Sequence, residues 1–244
     1  SLPSSVACWQ SPPAQTGRGY GNTGNQARVR ARGYRTASFS GQARLSAIAA
    51  GRAAPDWTEP PTMNHADHVR LITPGVPENA GGRWADFGAG TGAFTLALRD
   101  VAGPDVEIIA IDRDAGDLRE VQRAMEHAFP GTLLQTRAAD FTRPLELPPL
   151  AGILAANSLH YVRDQVALLR RWRSYLAPGG RLIVVEYDTG HGNHWVPHAI
   201  SFETFSEIAQ EAGFTAPQRI GTQPSRFLGR FFAGLALARA GDTP

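Results

Sequence analysis

Beyond residue 60, apolar residues fall into short unbroken runs separated by stretches in which they recur at helical spacing. The runs Trp84 to Phe87, Val106 to Ile111, Thr132 to Arg137, Leu150 to Ala156 and Arg181 to Tyr187 read as strands, several of them apolar throughout, as strands buried on both faces are. Between them, Phe94 to Leu98 opens one helical face. Leu118, Val121, Met125 and Phe129 line a helix over 114–129, capped by Asp114 and stopped by Pro130-Gly131. A third helix spans 163–176, after which Pro178-Gly179-Gly180 is expected to turn the chain into the last of these strands. Ahead of them all, 64–72 forms a short helix with Val69 and Ile72 on one side and Pro74-Gly75 closing it. Two readings of that helix are open: it lies over a bound ligand, or it packs at the domain edge with His65 and His68 exposed. Strands and helices alternating at these intervals predict a parallel sheet covered on both faces.

One junction stands out chemically. In Trp84-Ala85-Asp86-Phe87-Gly88-Ala89-Gly90-Thr91-Gly92-Ala93-Phe94 a strand gives way to a helix through three alternating glycines. Glycine admits positive φ and lets a ligand approach the main chain without meeting a Cβ, and the free N–H groups opening a helix favour a polar or anionic group. The run therefore predicts a nucleotide-type cofactor loop. Ligands of such sheets bind beyond the carboxyl ends of the strands. Asp86, Asp112, Asp140-Phe141, Asn157 and Glu186-Tyr187 all fall at or just after predicted strand ends, converging on one rim.

Composition narrows the chemistry further. At 244 residues and 42% hydrophobic the chain can bury a full core. No apolar run approaches the roughly 20 residues of a membrane helix, and the first residues lack the pattern of a signal peptide. The one cysteine, Cys8, forms no disulfide within the chain and leaves no Cys cluster for zinc, which fits a reducing, cytoplasmic setting. All the Lys+Arg residues are Arg, so Schiff-base and lysine-base mechanisms are excluded. Charge is uneven: residues 1–55 hold Arg18, Arg28, Arg30, Arg32, Arg35, Arg44 and Arg52 and no acid, so of the net +2 this stretch carries +7 and the remainder −5. The basic pI therefore carries no argument for nucleic-acid binding by the folded part. Residues 1–60, rich in Gly, Ser, Pro, Gln and Arg, are expected to be a disordered tail, with the folded domain over 61–240. The tail has three readings: a transit-like segment, an RNA-contacting arm, or upstream sequence translated from the wrong start. The last is preferred because the chain begins with Ser and Met63 stands just before the patterned part.

From about Met63 onward the chain resembles the class I S-adenosylmethionine-dependent methyltransferases. Asp86-Phe87-Gly88-Ala89-Gly90-Thr91-Gly92 is similar to that family's first motif, Asp112 to its acidic second-strand position, Asp140-Phe141 to the third motif and Asn157-Ser158-Leu159-His160-Tyr161 to the fourth. Leu176-Ala177-Pro178-Gly179-Gly180-Arg181-Leu182 resembles the turn and strand that follow. The resemblance implies an α/β, Rossmann-like, seven-stranded, mostly parallel sheet with a C-terminal antiparallel hairpin and helices on both faces. Residues 218–223 and 227–238 would supply the hairpin and 201–213 the helix before it. It implies S-adenosyl-L-methionine as cofactor. Gly88, Ala89, Gly90 and Gly92 would run against its methionine and ribose portion, Asp86 would hold the loop or the methionine amino group, and Asp112, beside Arg113, would bind the ribose hydroxyls. Asp140 would accept from the adenine amino group while the Phe141 backbone donates to the ring, and Asn157 would line the methionine end.

For transfer itself, His160, Tyr161 and Glu186 are the candidates, His160 as a base because imidazole deprotonates near neutral pH. His191, His194 and His198 invite a metal reading, but Gly192 and Pro197 keep them off one helix face and no metal site is assigned. Arg226 could meet a substrate carboxylate or be an ordinary exposed turn residue. A nicotinamide-dependent dehydrogenase would space its third glycine one residue further on, and the fourth motif lacks the prolines of an enzyme that clamps a flipped base. A small-molecule acceptor is therefore expected, with no membrane partner, no nucleic acid on the folded domain, and a monomer or homodimer. RNA or protein methylation, or S-adenosylmethionine binding without turnover, are the alternatives.

Overall fold

The computed structural model describes residues 63–78 and 80–239. The expectations for the Arg-rich tail lie outside them. In chain order the elements are α1 (His65–Ile72), a 3-10 turn (Thr73–Gly75), β1 (Gly82–Phe87), α2 (Ala93–Ala102), β2 (Val106–Asp112), α3 (Ala115–Ala128), β3 (Leu133–Ala138) and β4 (Leu150–Ala156). A second 3-10 turn (Leu159–Tyr161), α4 (Gln165–Tyr175), β5 (Leu176–Tyr187), α5 (Phe202–Glu211), β6 (Gln218–Ser225) and β7 (Gly229–Leu237) complete the described part. The strands form one seven-stranded sheet in the order β3-β2-β1-β4-β5-β7-β6. β1 to β5 pair in parallel, and β7 runs antiparallel to both β5 and β6. The predicted α/β fold and its hairpin are thus what the chain forms.

Alternation along the strands sends side chains to two cores. One holds Phe87, Ile111 and Val184 with Trp172 of α4 and Phe205 of α5; the other holds Trp84, Ile108, Ile183 and Val185 with Leu71 and Ile72 of α1, Leu98 of α2 and Met125 of α3. The helices begin where side chains can satisfy their free N–H groups. Asn64 and Asp67 form a reciprocal capping box at α1, and Asp114, Asp164 and Ser201 cap α3, α4 and α5. Among the described residues, no helix is long and apolar enough to cross a membrane.

Two details differ from the sequence reading. Pro178-Gly179-Gly180 does not turn the chain into a strand but lies within one: Leu176 already pairs with Leu150, the register shifts, and Gly179 takes a left-handed φ of 74°. The ladder holds there because the Gly179 N–H donates to the Ala238 carbonyl and the Ala238 N–H to the Gly180 carbonyl. His68, expected to be exposed, is half-buried, its ring 4.6 Å from that of Phe94 at the start of α2. α1 packs against α2 and β6.

The segment between β5 and α5 is fastened by Asp188. Its Oδ1 accepts from the Phe202 N–H at 3.0 Å, and its Oδ2 from Arg219 at 2.6 Å and Arg230 at 3.0 Å. Burial raises the pKa of this carboxyl, but these donors and the charge of Arg219 outweigh it and hold the group below its ordinary value. One carboxylate therefore ties the loop's entry and exit to β6 and β7.

Candidate active site

Because β1 to β5 are parallel, the residues that follow them gather on one rim of the sheet. The glycine loop is hooked to the neighbouring strand: the N–H groups of Gly88 and Ala89 both donate to the Ile111 carbonyl, at 2.8 and 3.1 Å, and the Gly92 N–H donates to Ala89. The three glycines then divide the work. A Cβ on Gly88 would stand 2.7 Å from Ser158 Cβ, and one on Gly92 3.0 Å from Val121, so these positions are small because the fold closes on them. A Cβ on Gly90 would meet nothing within 4 Å although its φ is 51°, leaving that stretch of backbone open to a ligand.

Asp112 ends β2 and organises this loop. Its Oδ2 accepts from the Gly90 N–H and its Oδ1 from the Asp114 N–H, each at 2.9 Å. One lone pair on each oxygen is then left to face outward, an arrangement suited to a diol. Arg113 beside it is exposed. Asp140 uses one oxygen, Oδ1, to accept from the Thr142 N–H and hydroxyl. Burial works against its ionisation, but the Thr142 bonds and the charges of Arg113 and Arg143 prevail and lower its pKa. The Phe141 ring packs against Phe87 and Trp172, while its N–H donates to no described residue and so can receive a ligand acceptor. At the end of β4, Asn157 takes a left-handed φ of 51°, uncommon outside glycine. Its Oδ1 and the Ser158 Oγ are buried with no partner. Buried polar atoms are almost always bonded, so an orphaned pair at the strand end, with Ser158 packed against Gly88 of the loop, fits an enclosed polar ligand. The residues expected to hold the cofactor are thereby brought together.

Asp86 plays a different part. It is 1% exposed, and the hydroxyl of Thr95, on the first turn of α2, donates to its Oδ2 at 2.6 Å. Burial pushes its pKa up, the Thr95 bond pulls against that, and the charge of Asp112 adds to the rise, giving about 7. A carboxyl with a folded-state pKa above its unfolded value near 3.8 stabilises the fold fully below that value. The contribution is lost as pH rises through about 7. Asp86→Asn keeps an acceptor for Thr95 and removes the charge. Melting curves of the variant should lack a loss of up to about 4 kcal/mol that the parent undergoes between about pH 4 and pH 8; parallel curves would place the titration elsewhere.

The three transfer candidates separate. His160 and Glu186 are 2% and 1% exposed, and the His160 Nδ1 lies 2.6 Å from Glu186 Oε2. Glu186 Oε1 accepts from the N–H groups of Leu159 and His160, at 2.8 and 3.3 Å. A carboxylate facing Nδ1 fixes the tautomer with Nε2 as the acceptor. No described residue bonds that Nε2. The His198 N–H donates to the His160 carbonyl, tying the 189–200 loop to that turn. Tyr161, by contrast, is 59% exposed. Among the described residues no three His, Cys, Asp or Glu side chains are grouped to hold a metal ion, and His191 and His194 are exposed. Arg226 is exposed and without an ion pair among the described residues. The sequence pattern gives no role to Ser158 within the fourth motif and no motif to Thr95 or Asp188; only the position of Thr95 on the first turn after the glycines hints at one.

Residues 85–182 match the family model for a methyltransferase domain. Over 142 residues the chain is 28% identical to 27-O-demethylrifamycin SV methyltransferase of Amycolatopsis mediterranei, an alignment covering 57% of this chain and 48% of that protein. The chain thus spans about half the length of this curated relative. Its fold is shared by an arsenic(III) S-adenosylmethionine methyltransferase of Chlamydomonas reinhardtii, with TM-score 0.55, 15% identity, and coverage of 70% of this chain and 73% of the other. It is shared equally by a SAM-dependent methyltransferase of Thermotoga maritima, with TM-score 0.53, 17% identity, and coverage of 72% and 89%. The match to a methyltransferase domain thus covers residues 85–182, on a seven-stranded fold that S-adenosylmethionine-dependent methyltransferases share.

Proposed function

We propose that the protein transfers a methyl group from S-adenosylmethionine to a small molecule. The observation that supports this reading is that the open backbone at Gly90, Asp112 with one acceptor bond on each oxygen, and the orphaned oxygens of Asn157 and Ser158 all follow adjacent parallel strands at one rim. The A. mediterranei relative is named for a small-molecule acceptor, which supports that class here. Bound S-adenosylmethionine supplies an electrophilic methyl on a sulfonium that is its own leaving group. What remains for the protein is to hold the cofactor, align the acceptor and take up its proton. Asp86 through Thr95 steadies the loop, Gly88 to Gly92 form its backbone wall, and Asp112, next to Arg113, takes the ribose hydroxyls. Asp140 and the Phe141 N–H take the adenine edge, and Asn157 the methionine end. On the acceptor side His160 receives the proton at Nε2, Glu186 holds the imidazole in the required tautomer, and Tyr161 borders the entrance.

Turnover of methyl-labelled S-adenosylmethionine with a metabolite panel tests the reading. Asp112→Ala should weaken cofactor affinity by about a hundredfold, since it removes the diol contact and frees the Gly90 N–H at once. Calorimetry showing unchanged affinity in a folded Asp112→Ala protein would overturn the cofactor site.

A further inference from the structure

Four large hydrophobic side chains among the described residues are strongly exposed: Leu133, Tyr161, Trp195 and Phe227. Leu133 starts β3, at the rim away from the glycine loop. The three aromatics all lie at the cofactor rim. Tyr161 follows β4, Trp195 stands in the 189–200 loop that follows β5 and is tied to His160 through the His198 N–H, and Phe227 occupies the turn after β6, a strand that runs in the direction of β1 to β5 and so ends at the same rim. Less exposed neighbours extend the set. Tyr187 ends β5 opposite Phe231, with ring centroids 4.2 Å apart, and Phe227 meets Tyr187 edge-on at 5.7 Å. Single exposed hydrophobics are ordinary on a protein surface; their concentration beside a cofactor site is not. The nearby acids are already engaged, Glu186 by three donors and Asp188 by three. Tyr187 and Phe227 thus hold their rings in a fixed relative orientation, Tyr161 and Trp195 are exposed on the same rim, and the nearby acids leave little free negative charge.

The geometry points to a planar aromatic acceptor, gripped by Tyr161, Tyr187, Trp195 and Phe227. This rests on the methyl-transfer reading above and names its substrate class. Aromatic pairs gain from offset and edge-to-face placement beyond the area they bury, so a flat ring is favoured over a saturated one of equal size.

Protein loaded with S-adenosylhomocysteine, titrated calorimetrically with 2-naphthol and with decahydro-2-naphthol, provides the test. The two probes share heavy atoms and hydroxyl, and the saturated one is the more readily driven from water, so a preference for the flat one reports ring contacts. Naphthol should bind about tenfold more tightly, and Phe227→Ala or Trp195→Ala should each cut that preference to about threefold or less. Equal affinities, no binding of naphthol, or a preference that survives both substitutions would overturn the aromatic reading alone, provided S-adenosylhomocysteine binds normally. A missing S-adenosylhomocysteine isotherm would instead remove the cofactor reading and this inference with it.

Discussion

Gly90→Leu should abolish measurable S-adenosylmethionine binding while the protein remains folded. Gly90 lies at φ 51° with empty space where its Cβ would point. A leucine there costs about 1–2 kcal/mol of backbone strain and projects its side chain into the space the cofactor needs, so affinity should fall by more than about a hundredfold. Strain and obstruction can be separated. Gly131, after α3, also has a left-handed φ, 81°, and open space in front of it. Gly131→Leu should lose a similar amount of stability in chemical denaturation and none of the affinity. If both variants bound the cofactor like the parent protein, the open backbone at Gly90 would not be its seat.

The second large effect is expected at Glu186. Its carboxylate is buried and accepts from two backbone N–H groups and the His160 ring. Glu186→Ala would strand all three, at a cost of about 3–5 kcal/mol in chemical denaturation. Glu186→Gln is the more informative change. Its amide oxygen can still serve the N–H groups of Leu159 and His160, so the stability loss should stay near about 1–2 kcal/mol. Its amide nitrogen, however, would face Nδ1 as a donor and move the imidazole proton to Nε2, which could then accept nothing. Turnover should fall by about a hundredfold or more with cofactor affinity unchanged. A Gln variant with parental kcat would reduce the pair to scaffolding.

What the sequence made legible was local. Val106 to Ile111 and Leu150 to Ala156 announce themselves because strands buried on both faces need unbroken apolar runs, and the glycine loop because a tight bend beside a ligand excludes side chains. Asp112, Asp140 and Asn157 could be placed on one rim because a parallel sheet sends the end of every strand to the same side. What stayed hidden depends on contacts between distant positions. His160 and Glu186 were separate candidates until the adjacent ends of β4 and β5 joined them across 26 residues. Asp188 attracted no attention because its partners Arg219 and Arg230 come 31 and 42 residues later. Pro178-Gly179-Gly180 favours a turn locally because proline and glycine usually interrupt strands; pairing with β4 and with Ala238 overrides that local preference.

The clamp at Asp188 has a consequence for how such a protein can diversify. One carboxylate holds the start of the 189–200 segment and the first N–H of α5 after it, and within the segment Val196 and Ile200 are buried while His198 is tied to His160. The exposed stretch 190–195 between these anchors can be exchanged, lengthened or shortened with little effect on the sheet or on the glycine loop. On the methyl-transfer reading, grafting that stretch is the natural route to altering acceptor range without altering donor binding.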